Sequence, residues 1–150
     1  VSTRQEKNIR RAKALSYIGH IPFYGLAGLS WFAQTSSWAL HALATYSAVV
    51  LAFLGAIHWG RALDQMHHSN QYPTLLFGLV PALLAWFALL LPLELSMPML
   101  AAGLMFVWGT EQMVFNDTLP TWYRHLRHEL TAAAVIAVLI GWAATMFWML

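Results

Sequence analysis

The chain has 150 residues, of which 59% are hydrophobic and 9% charged, and its mean hydropathy is +0.57. Eight Lys/Arg and six Asp/Glu cannot furnish the polar shell of a soluble domain, whereas a bilayer removes the need for one. The net charge of +2 does not indicate nucleic-acid binding, because the basic residues are few and confined to short stretches flanking apolar ones. The absence of cysteine excludes disulfides, zinc–thiolate sites and cysteine nucleophiles.

The opening Val1-Ser2-Thr3-Arg4 has no short apolar core or small-residue cleavage site behind it, so a cleaved secretory signal is not expected. A trimmed N-terminus stays open. Crossing a hydrocarbon core about 30 Å thick takes about 20 apolar residues at 1.5 Å per residue. Five stretches meet that demand, at about 14–33, 38–60, 73–91, 98–115 and 130–150. The expected fold is an all-α, single-domain bundle of five transmembrane helices. Pro81 should kink the third span, and the prolines bracketing 92–98 favour an extended turn.

Arg4, Lys7, Arg10, Arg11 and Lys13 precede the first span; Arg61 follows the second, and Arg124 and Arg127 precede the fifth. With five spans all eight fall on one side, which predicts an N-in, C-out topology. Trp59, Tyr72, Trp122 and Tyr123 then lie at the inner headgroup level, and Trp31, Trp38 and Trp148 at the outer.

The second span carries Ala44, Ala48, Ala52, Ala56 and Gly60 at every fourth position, a pattern that permits close helix approach. Packing within the bundle is the first reading, and homodimerisation the alternative.

Ionisable residues inside the spans are the candidates for chemistry. Glu111 is the acid set well inside an apolar stretch, while His20 and His58 lie at a similar depth near the inner side. His41 lies near the outer side, apart from them. Tyr17 and Tyr24 share a helical face with His20. A His20–His58–Glu111 cluster would suit several ligands: a divalent metal through two histidines and a carboxylate, a b-type haem between two histidines, or a quinone headgroup beside the tyrosines. The competing reading is that these groups bond one another and fix the packing, with no cofactor. His67 and His68 are a poor chelate, since adjacent residues diverge on a helix.

In the loop before the fifth span, Asp117 can cap a short helix and Pro120 suits its first turn. Trp122 and Tyr123 would lie at the headgroup level, with Arg124 and Arg127 together on one face, as an anchor or a docking element.

Two segments carry a family resemblance. Ala52-Phe-Leu-Gly-Ala-Ile-His58-Trp59-Gly60, and the later run Asp117-Thr-Leu119-Pro120-Thr-Trp122-Tyr123-Arg124-His-Leu126-Arg127, resemble the two signatures of the uncharacterised family called domain of unknown function 3429. The resemblance implies a small multi-pass protein of a bacterial inner membrane or a mitochondrial membrane. It attaches weight to His58, Trp59, Gly60, Asp117, Pro120, Trp122, Tyr123, Arg124 and Arg127, but supplies no activity. The expected function is a non-catalytic accessory subunit or assembly factor of a larger respiratory or photosynthetic complex, whose partners are the bilayer and other membrane subunits. The alternative is a redox or proton-relay protein using the His/Glu site.

Overall fold

A computed structural model describes residues 3–150 and is helical throughout its ordered elements: α1 (Thr3–Ile18), α2 (Ile21–Leu29), α3 (Ser36–Asp64), α4 (Tyr72–Leu89), α5 (Leu93–Met113) and α6 (Thr121–Met149). Among the described residues, α3, α4, α5 and α6 are long and apolar enough to cross a membrane. The chain is thus an all-α, multi-pass membrane protein. Phe23 of α2, Leu43 and Leu51 of α3, Met97, Leu100 and Leu104 of α5 and Val138 of α6 form its core. The most extensive helix contacts are α3 with α4 and α5 with α6.

The first expected span, 14–33, is not one helix. It is shared between the end of α1 and all of α2, with the break at Gly19 and His20. Pro22 is the cause: it has no N–H to give the Ile18 carbonyl, and its ring crowds that carbonyl. The break is braced from outside. Phe23 donates to the His20 carbonyl instead of to Gly19, and the freed Gly19 carbonyl accepts the Tyr46 hydroxyl of α3 at 2.5 Å. His20 sets its ring nitrogens against the carbonyls of Ser16 (3.1 Å) and Leu130 (2.9 Å), tying the joint to α6.

Two further boundaries differ from expectation. The prolines at 92 and 98 do not bracket a turn; Pro92 is the N-cap of α5 and Pro98 lies within it. The N–H that Pro98 lacks would have met the Glu94 carbonyl, and the Trp142 indole donates to that carbonyl at 3.0 Å. The residues after Pro120 do not form a separate interfacial helix. They are the first turns of α6, whose 29 residues extend about 43 Å, beyond a hydrocarbon core of about 30 Å. Pro120 is the N-cap, Asp117 is exposed, and α6 has no side-chain cap.

Small residues do bring helices together, though not along the whole expected stripe. Ala44 and Ala48 are buried, but Ala56 and Gly60 are exposed. The close approach falls one position away, where Gly55 of α3 meets Gly78 of α4. A Cβ on Gly55 would stand 2.3 Å from the Gly78 carbonyl oxygen. Trp59 closes over the same point, donating to the Leu75 carbonyl at 2.9 Å. Backbone cannot yield as a side-chain tip does. Gly55→Ala should therefore destabilise the detergent-solubilised protein by about 1–3 kcal/mol, the usual cost of overpacking. Gly60→Ala, with nothing within 4 Å of its Cβ, should leave the melting temperature unchanged or slightly raised.

Candidate functional site

At the end of the bundle where α3 and α5 finish and α6 begins, these three helices each contribute one buried polar side chain to a single network. His58 and Glu111 are fully buried and Arg127 is 5% exposed. The position of His58 follows from the helical period: it shares a face with Leu51, Leu54 and Gly55, all buried. Glu111 continues the buried α5 row of Leu100, Leu104 and Val107. Arg127 stands on the α6 row of Leu130, Thr131, Ala134 and Val138.

Both carboxylate oxygens of Glu111 are engaged. Oε1 lies 3.0 Å from His58 Nε2, and Oε2 accepts from Arg127 Nε at 2.8 Å. An Arg-paired carboxylate can only accept, so the His58 proton sits on Nε2. Arg127 also donates to the Thr131 hydroxyl at 2.8 Å, one turn further along α6. His58 Nδ1 has no partner among the described residues, and the ring packs against Phe77 and Phe115, each 4.9 Å away between centroids. The Arg127 guanidinium is the counter-charge to the Glu111 carboxylate, and His58 adds a hydrogen bond to it. That is the arrangement a buried carboxylate requires.

The anticipated trio is therefore divided. His58 and Glu111 are brought together, while His20 bonds the carbonyls of Ser16 and Leu130. Tyr17 and Tyr24 are half-exposed; the Tyr17 hydroxyl donates to Glu129 at 2.5 Å. His41 is exposed and bonds the Ser37 carbonyl. Among the described residues, no three His, Cys, Asp or Glu side chains are grouped to hold a metal. The residues do not fit a haem either, since the one unengaged nitrogen of His58 is sealed between phenylalanine rings.

Arg127 is the correction that matters most. It does not share an outward face with Arg124; it is turned inward as the counter-ion of Glu111. Arg124 instead donates to Asn116 at 2.5 Å and Arg61 to Thr118 at 2.8 Å, so both fasten the segment between α5 and α6. Among the family-motif positions, His58 and Arg127 meet through Glu111, Trp59 locks α3 to α4, and Gly60 is exposed with open space around it.

Removing either charge leaves the other buried and unpaired. Glu111→Gln and Arg127→Met should each cost about 3–5 kcal/mol of stability in chemical or thermal unfolding. The double variant should cost less than the sum of the two by about 1–3 kcal/mol, since neither ion is then stranded.

No solved structure matches the chain. It is 32% identical over 99 residues to Transmembrane protein 69 of Xenopus tropicalis, an alignment covering 62% of this chain and 38% of that protein. The chain thus matches well under half the length of this relative. A family model described as "Protein of unknown function (DUF3429)" matches residues 8–143, a stretch that contains all six helices in whole or in part, His58, Glu111 and Arg127. The chain belongs to the DUF3429 family.

Proposed function

We propose that this protein is a non-catalytic integral membrane component, an accessory subunit or assembly factor of a larger respiratory or photosynthetic membrane complex. One observation carries the reading. Each oxygen of the buried Glu111 carboxylate already has a donor from within the chain, so the polar centre is built as a pin between α3, α5 and α6. The short connections between helices support it as well, for they offer little surface to a soluble substrate. The alternative of a redox or proton-relay protein has less behind it. A quinone or metal at this depth would have to displace Arg127 or His58 from Glu111.

The topology belongs to the same proposal. The end of α1 and all of α2 together make a fifth, broken crossing, and the N-terminus lies on the cytoplasmic or matrix side of a bacterial inner or mitochondrial membrane. Contacts at both ends of the bundle support this. Tyr17 meets Glu129 at the start of α6, and the Trp148 indole at its other end donates to the Ser30 carbonyl just beyond α2. All eight Lys and Arg then share one side.

Reporters inserted within 65–71, or between Asn116 and Pro120, should report the inner side, and one fused after Leu150 the outer. An inner C-terminus would overturn the five-crossing arrangement. For function, the protein purified from its native membrane in mild detergent should carry other membrane subunits in fixed ratio. The Glu111→Gln/Arg127→Met variant should keep those partners wherever it remains folded. A folded double variant that retains its partners but loses a measurable electron- or proton-transfer activity would replace the structural reading with the catalytic one.

A further inference from the structure

α1 is the helix least engaged with the bundle, and one of its faces changes character along its length. Arg4, Asn8 and Ala12 line a cleft of about 430 Å³ whose opposite wall is Trp122 of α6. Ala12, Ser16 and His20 line a second cleft, of about 490 Å³, whose other walls come mainly from α3 and α6. Ala12 and Trp122 belong to both, so the two clefts meet at that neck. The first is polar and cationic at its mouth; the second is walled by side chains such as Val49, Val50, Phe53 and Leu126.

The geometry points to one anionic phospholipid as the occupant, its acyl chain in the apolar cleft and its phosphate against the start of α1. Three observations select it. First, α1 carries Arg4, Lys7, Arg10, Arg11 and Lys13 against Glu6 alone. Among the described residues none of these cations is ion-paired to a carboxylate. An anion is the complement of such a surface, and cationic segments beside a bilayer attract anionic headgroups.

Second, the apolar second cleft has the volume of a small-molecule site, about 300–1,000 Å³, and its lining is that of a chain-binding site. Third, two donors in its walls lack partners among the described residues: one Arg127 amino group and the Tyr123 hydroxyl. They lie on α6 beyond Trp122, Arg127 about 7.5 Å further along the helix. With the phosphate at the level of Trp122, that interval is where the ester carbonyls of a glycerolipid, which can only accept, would fall. A quinone would use the apolar cleft but leave the cations of α1 without a role.

The test uses the full chain purified in a nonionic detergent. Native mass spectrometry compares phosphatidylglycerol with phosphatidylcholine of identical acyl chains. A single phosphatidylglycerol adduct should survive activation that strips phosphatidylcholine. Arg4→Gln should weaken its apparent affinity about fivefold, the effect of about 1 kcal/mol per basic residue near a headgroup. Ala12→Trp, which fills the neck on an outlying helix, should abolish the adduct while circular dichroism stays unchanged. Equal retention of the two lipids would overturn the assignment. So would an Ala12→Trp protein that still holds phosphatidylglycerol, which would mean surface attraction without a cleft. Displacement of the adduct by an equimolar quinone would also overturn it, as would a disulfide-trapped dimer formed through cysteines placed at Ala12.

Discussion

A carboxylate cannot stay ionised in hydrocarbon without partners, and one end of this bundle is organised around that constraint. Glu111 is fully enclosed, and the groups that make this tolerable come from two other helices. Meeting both at once sets the rotation of α3 about its axis through His58, and of α6 through Arg127. Apolar packing in lipid is permissive, because a leucine is nearly as well solvated by acyl chains as by another leucine. Directional bonds to one carboxylate are not. The network gives register to helices that van der Waals contact alone would let slide.

The remaining precision comes from backbone groups that proline and glycine leave exposed. Pro22 and Pro98 each free a carbonyl or displace a hydrogen bond. The break after Pro22 is answered by the Tyr46 hydroxyl, and Pro98 by the Trp142 indole. The Gly55–Gly78 contact brings two backbones within van der Waals distance, and Trp59 caps it. In each case a deviation from ideal helix geometry is matched by a side chain on a neighbouring helix. The irregularities are thus contacts between helices as much as features of one.

Much of this was legible from residue order. The apolar stretches located α3, α4 and α6 to within a few residues, apart from the C-terminal extension of α3 and the N-terminal extension of α6, because hydrocarbon thickness fixes their length. Depth along each stretch was enough to associate Glu111 with His58. Azimuth was not readable in the same way, and His20 shows why. Its level is close to theirs, but the break at Pro22 reorients it towards α6. The interior position of Pro98 was misread because proline tolerance depends on whether a donor stands ready, and Trp142 lies more than forty residues away in the chain. Arg127 had a readable signal that was outweighed by its company. It falls in step with Leu130, Thr131, Ala134 and Val138, a buried row, yet adjacency to Arg124 suggested a shared outward face.

The joint between α1 and α2 bears on how the chain is made. Its unpaired carbonyl finds its hydroxyl on α3, and His20 finds its second partner at Leu130, made more than a hundred residues later. When that apolar stretch leaves the ribosome, Leu130 has not yet been made. The α1–α2 segment must wait at the membrane surface, or cross with its polar groups incompletely satisfied, until α6 has been synthesised. The joint between α1 and α2 is therefore completed only once α6 is in place.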